Sequence, residues 1–132
     1  MKPITHSVTV DAIIVKGNAI VLIKRKHLPF VGMYALPGGY VEAGESCEQA
    51  VLREAKEETN LDITIRKLVG VYSDVGRDPR GRTISVVYLV KASGVLQAGD
   101  DAADAELISL EALPGELAFD HMKMIKDSGI LG

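Results

Sequence analysis

Glu54, Glu57 and Glu58 crowd three carboxylates into the run Arg53-Glu54-Ala55-Lys56-Glu57-Glu58. Ser46 and Gln49 read as a reciprocal N-terminal cap, so a helix is predicted from Cys47 to Thr59. At about 100° per residue the three acids share about a third of the helix circumference. Like charges at i, i+3 and i+4 repel one another, which costs helix stability unless a cation sits among them. Hard oxygen donors suit Mg²⁺, with Mn²⁺ as a substitute, and a phosphorylated substrate often accompanies such an ion. Two readings stay open, a cation-binding face and a plain solvated face. Lys56 lies on roughly the opposite side from Glu54 and Glu58, and the same arc continues through Cys47, Ala50 and Val51. Acids that extend an apolar stripe favour the first reading. His6, His27 and His121 are dispersed, so no imidazole metal site is indicated, and the lone Cys47 reads as a small core residue.

The spacing of Gly39, Glu45, Arg53, Glu54, Glu57, Glu58 and Leu61 resembles the signature of the Nudix hydrolases, G-x5-E-x7-R-E-U-x-E-E-x-G-U, with U a bulky apolar residue. Two positions depart from it: Ala55 is small where a larger apolar residue is usual, and Asn60 replaces a glycine. Asn tolerates the left-handed backbone expected where the helix ends, so the second change is mild. Neither departure touches a carboxylate.

The resemblance implies hydrolysis of a nucleoside diphosphate linked to another group, with bound Mg²⁺ offsetting charge on the phosphates. It implies that Glu54, Glu57 and Glu58 are metal ligands, helped by the Gly38 carbonyl, and that Glu45 and Arg53 support them. Arg53 can also reach Glu57 at i+4, and a guanidinium holds carboxylate rotamers while offsetting an acidic cluster. Glu54, Glu57, Arg53 and Asp101 are thus the expected catalytic set. Asp101 is the leading candidate for the general base, with Asp100 close behind, and Glu106 is a structural anchor.

These groups need elements to place them. Val8 to Val15 reads as a strand interrupted by Asp11, Lys16-Gly17-Asn18 as a hairpin turn, and Ala19 to Lys24 as the returning strand. Lys24-Arg25-Lys26 then puts three cations at a strand end. Either the run is a solvated loop, or Arg25 reaches a substrate phosphate, as basic residues there do in the family. The paired glycines Gly38 and Gly39 bring backbone close to the acids, where a side chain would block the approach. Phe30 and Tyr34 could stack on a base, although packing under the loop is the simpler role for both.

Leu61 to Tyr72 and Thr83 to Lys91 read as further strands. The segment between them holds Arg77, Arg80 and Arg82 beside Asp74 and Asp78. It is either an exposed hairpin loop or a clamp in which Arg77 and Arg80 bind phosphates in forked geometry. Its core, Arg77-Asp78-Pro79-Arg80-Gly81, resembles the small ADP-ribose pyrophosphatases. A short strand end is expected at Leu107 to Leu110 and a final helix from Leu117 to Lys126. Phe119, Met122 and Ile125 would share that helix's apolar face, with His121 half-buried on it.

The 132 residues leave room for one domain, residues 1–132, built as an α/β/α sandwich with a mixed sheet between helices. A formal charge of −3 and the lack of a basic stripe argue against nucleic acid as the partner. No long apolar run suggests a leader or a membrane span, and a single cysteine fits a reducing cytoplasm. A homodimer is compatible with the apolar content. The expected activity is Mg²⁺-dependent cleavage of ADP-ribose, or a related nucleoside diphosphate derivative, to AMP and a sugar phosphate. The alternatives are nucleoside triphosphate pyrophosphohydrolysis and a sensor that binds ADP-ribose without cleaving it.

Overall fold

The computed structural model describes residues 3, 5–97 and 105–132. Seven strands form one mixed sheet: β1 (Ser7–Lys16), β2 (Ala19–Lys24), β3 (Tyr34–Ala35), β4 (Gly38–Tyr40), β5 (Asp62–Tyr72), β6 (Thr83–Ser93) and β7 (Ala105–Ser109). The main path runs β3-β2-β1-β6-β5, with β1 and β6 parallel and the other neighbours antiparallel. β1 divides its second edge. Its end, Val15 and Lys16, pairs with β2, whereas Thr9 to Asp11 pair with β4. That split lets the glycine-bearing β4 lie beside the start of β1.

Alternation along the strands sorts side chains onto two faces. Val10, Ala12, Ile14, Val21, Tyr88 and Val90 form one core with Ala50, Val51 and Ala55 of helix α1 (Cys47–Thr59). Ile13, Ile20, Leu22 and Val87 form the other with Met124 and Ile125 of helix α2 (His121–Ser128). A helix thus covers each face of the sheet, giving the expected α/β/α sandwich. Each fully buried aliphatic side chain contributes about 1.5–3 kcal/mol by leaving water.

α1 has the expected limits. Gln49 N donates to Ser46 Oγ at 3.1 Å, and Ser46 N donates to Gln49 Oε1 at 2.8 Å, completing the capping box. Asn60 ends the helix with φ 65°, its N–H donating to the Lys56 carbonyl at 3.0 Å. Ala55 is fully buried.

Three expectations need correction. Asp11 does not interrupt β1, which runs unbroken through it with the Asp11 side chain buried. The last strand is Ala105–Ser109, followed by a 3₁₀ turn over Leu110–Ala112. The final helix begins at His121 rather than Leu117, because Leu117 to Asp120 has other partners. Ala118 N donates to the Tyr34 carbonyl at 2.8 Å, Phe119 is left-handed at φ 53°, and the Asp120 carboxylate pairs with Arg77. Phe119 therefore does not share the α2 apolar face; Met124 and Ile125 bury it instead. No helix among the described residues is long and apolar enough to cross a membrane.

Candidate active site

Arg53, one turn before Glu57 on α1, is the hub of the acidic face. Its Nε and Nη2 donate to the two oxygens of Glu45 at 2.7 and 2.9 Å, and Nη2 also reaches the Tyr40 carbonyl at 3.0 Å. Nη1 donates to Glu54 at 2.7 Å and to Glu57 at 3.2 Å. The forked contact holds the Glu45 carboxyl down at about 2, the Arg53 hydrogen bond being the largest cause. Arg53 thereby ties the loop before α1 to the helix and fixes one rotamer of Glu54.

Glu58 lies on the same face without such a partner. It accepts from Gly38 N at 3.1 Å and shares a side-chain hydrogen bond with Glu54. Burial, and then Glu54, push its carboxyl well above the usual carboxylate range. Two carboxyl groups in contact cannot both carry charge unless a cation joins them. Arg53 is committed to Glu45, Glu54 and Glu57, so it offers nothing to Glu58. A divalent cation fits this pair: the donors are hard oxygens, and the charge it brings is the one the pair lacks.

The third acid stands apart. The Glu57 side chain is 58% exposed and bonded to Arg53. Among the described residues no three His, Cys, Asp or Glu side chains converge as a ligand cluster. The fold thus brings Glu54 and Glu58 together and leaves Glu57 beside them, on the outer side of Arg53. Asp101, with Asp100, lies outside the described residues.

The two glycines of β4 are spacers, for different reasons. A Cβ on Gly38 would sit 2.1 Å from the Val10 carbonyl oxygen, so the clash is with backbone. A Cβ on Gly39 would sit 2.5–2.7 Å from the Glu54 carboxyl atoms, so the clash is with the proposed ligand. Gly39→Ala is therefore expected to keep its melting temperature within a few degrees while losing about 10-fold or more in Mn²⁺ affinity. Gly38→Ala is expected to lose folded protein. Calorimetric titration and thermal melts of both variants check this, and normal Mn²⁺ binding by Gly39→Ala would contradict it.

Beyond the glycines opens a cavity of about 230 Å³. All three arginine candidates line it, in unequal states. Arg77 spends its fork on Asp120, at 2.8 and 2.9 Å, with only 5% of its side chain exposed. Arg80 is paired with the buried Asp78, through Nε at 3.1 Å and Nη2 at 2.9 Å. Arg25 has no carboxylate partner among the described residues; Nε and Nη2 donate to the Pro29 and His27 carbonyls at 2.7 and 3.4 Å. Its pKa is drawn down by burial and by the nearby Arg80. Tyr34 pairs with Lys24 across β2 and β3, and its hydroxyl donates to Glu106 at 2.6 Å, joining β3 to β7.

The cavity floor holds residues that sequence reasoning passed over. Asp11 accepts from the Ser85 hydroxyl and lies 3.5 Å from His121 Nε2. Burial pushes its carboxyl up to about 7. His121 is fully enclosed rather than half-buried; its Nδ1 accepts from Leu36 N at 3.0 Å, and burial holds it down at about 3. The imidazole is therefore neutral, with its Nε2–H directed to Asp11. A lone acid inside a β-branched run was the available signal for Asp11. Phe119, expected on the apolar face of the final helix, also lines the cavity.

The NUDIX domain model matches residues 5–128. A Methanocaldococcus jannaschii protein named ADP-ribose pyrophosphatase is 57% identical over 122 residues, covering 92% of this chain and 72% of that protein. A Francisella tularensis bifunctional NMN adenylyltransferase/ADP ribose pyrophosphatase, crystallised with AMP and a Mn ion, gives a TM-score of 0.81 at 33% identity. The match covers 92% of this chain but 40% of that one, so the chain spans less than half of that relative's length. The NUDIX domain of Shewanella oneidensis NrtR, crystallised with ADP ribose, gives 0.80 at 27% identity, covering 95% of this chain and 87% of that one.

Proposed function

The chain belongs to the Nudix family, and from that premise we propose that it is a Mg²⁺-dependent pyrophosphohydrolase. Its substrate is ADP-ribose or a related nucleoside diphosphate derivative, cleaved to AMP and a sugar phosphate. One observation carries the reading: the half-buried Glu54–Glu58 pair sits directly behind Gly38 and Gly39, which line the arginine-bearing cavity. The family uses divalent metals, and the Mn-bound Francisella relative and the name of the Methanocaldococcus one support both parts of the proposal.

Glu54 and Glu58 would hold the cation, with Glu57 and the Gly38 carbonyl completing the set. Such an ion neutralises phosphate charge and acidifies an attached water. The chain's own groups do the rest. Arg53, braced by Glu45, keeps Glu54 in one rotamer. Arg25 and Arg80 face the phosphates from the cavity wall, while Arg77 holds Asp120 and so the start of α2. Asp101 is proposed as the base that takes the proton from the attacking water. A reducing cytoplasm, compatible with the free Cys47 thiol, and a homodimer belong to the same proposal.

Turnover of ADP-ribose, related nucleoside diphosphate sugars and a panel of nucleoside triphosphates, with Mg²⁺ or Mn²⁺ and products identified by mass, tests this. AMP and ribose phosphate released from ADP-ribose, with triphosphates cleaved poorly, is the expected result. Saturable ADP-ribose binding without turnover would instead make the protein a sensor.

A further inference from the structure

The chain has two phenylalanines, and both are spent at one place in an unusual way. Phe30 (φ 61°) and Phe119 (φ 53°) are left-handed, a conformation that bulky residues adopt only where surrounding structure enforces it. Their rings meet edge-on with centroids 4.9 Å apart. The Phe119 ring also serves two cations. The Arg25 guanidinium lies 5.1 Å from its centroid and that of Arg80 5.4 Å, while His121 packs against it at 5.2 Å.

Both guanidiniums have the same donor left over. Arg25 uses Nε and Nη2 on backbone carbonyls, and Arg80 uses Nε and Nη2 on Asp78. Neither Nη1 makes a hydrogen bond among the described residues, and both side chains line the cavity. Two like charges this close would repel and drift apart if only water lay between them. A ring face attracts each of them, and it holds them at a fixed separation.

We propose that Phe119 is a positioning residue, its ring holding the Arg25 and Arg80 guanidiniums as two arms of one anion site shaped for adjacent phosphoryl groups. Phe119 itself does not touch the reacting atoms. The left-handed backbone at 119 sets the ring beside His121 and within reach of both guanidiniums, and Phe30 braces it from its own left-handed turn. This deepens the pyrophosphohydrolase reading and rests on it for the identity of the anion.

Phe119→Leu keeps the apolar bulk and removes the ring face, and Phe119→Tyr keeps the face. Binding of inorganic pyrophosphate in the presence of chelator, read by calorimetry, avoids any dependence on metal or turnover. The Leu variant is expected to bind pyrophosphate about tenfold more weakly and to raise KM for ADP-ribose about tenfold, with kcat within about twofold. The Tyr variant should restore both values. Wild-type pyrophosphate affinity in the Leu variant, or a fall in kcat with KM unchanged, would overturn the proposal. So would an equal loss in the Tyr variant. If the Leu variant does not fold, Arg25→Gln and Arg80→Gln replace it: each must weaken pyrophosphate binding about tenfold, and an unaffected variant contradicts a two-armed site. Pyrophosphate binding that responds as expected in a protein inert toward ADP-ribose would sink the substrate reading and leave this inference standing.

Discussion

Glu58→Gln is expected to abolish turnover while leaving the metal-free protein at least as stable as the wild type. The amide has the shape of the acid, can still accept from Gly38 N, and can donate to Glu54 at any pH, whereas the acid does so only while protonated. Replacing an acid whose ionisation the fold disfavours removes the cost of holding it protonated, a gain of about 1 kcal/mol in chelator at neutral pH. The same change deletes an anionic ligand of the proposed cation, whose charge stabilisation of the transition state amounts to several kcal/mol, so kcat should fall about 10³-fold.

The pH dependence has a definite sign. Because the folded-state pKa of Glu58 lies above the ordinary glutamate value of 4.5, the unfolded chain ionises first. Wild-type stability in chelator should therefore fall as pH rises from about 4.5 toward the raised value, and the Gln variant should lack that decline. With Mg²⁺ present the order reverses, since a ligand bound only by the native state stabilises it. Melts with and without Mg²⁺, alongside turnover, check all three statements. An active Gln variant would remove Glu58 from the mechanism.

Arg53→Ala should cost the most in stability, and activity with it. One guanidinium serves Glu45, Glu54, Glu57 and the Tyr40 carbonyl, and its loss leaves Glu45 and Glu54 without a cationic partner among the described residues while each is only 14% exposed. Breaking a fully buried pair costs about 3–5 kcal/mol; with 22% of the Arg53 side chain exposed, about 2–3 kcal/mol is expected here. Glu54 is freed to turn, which should lower turnover about 10²-fold. Arg53→Lys should rescue little, because an ammonium cannot grip both Glu45 oxygens in a fork while reaching Glu54. Denaturant melts and turnover of both variants provide the check. A midpoint unchanged in Arg53→Ala would show that the network is ornamental.

The contrast between these two positions reflects what was legible from residue order. Helix limits, the Ser46–Gln49 cap, the left-handed Asn60 and the strand alternation are local properties, and each follows from neighbours a few residues away. The reach of Arg53 to Glu57 is likewise an i,i+4 relation. Helical angle, however, says which face an acid occupies, not which way its side chain turns. Glu57 shares the face with Glu54 and Glu58 yet is bonded outward to Arg53.

Long-range contacts were not readable at all. Asp11 looked like a break in a strand because its partners, Ser85 and His121, lie 74 and 110 residues away. Leu117 to Asp120 has helical periodicity, but Tyr34 and Arg77 claim its backbone and its acid. Neither reading of the Arg77 segment, exposed loop or phosphate clamp, included its pairing with Asp120, which lies 43 residues downstream. Tertiary demand overrode local preference at each of these places, and all of them border the cavity.

The most direct test is anomalous diffraction from crystals grown with Mn²⁺ and a nonhydrolysable ADP-ribose analogue. We expect a manganese peak at hard-ligand distance, about 2.0–2.6 Å, from carboxyl oxygens of both Glu54 and Glu58, with the analogue's diphosphate beside Arg25. Manganese bound elsewhere, with Glu54 and Glu58 still bonded to each other, would contradict the metal-binding role of this pair.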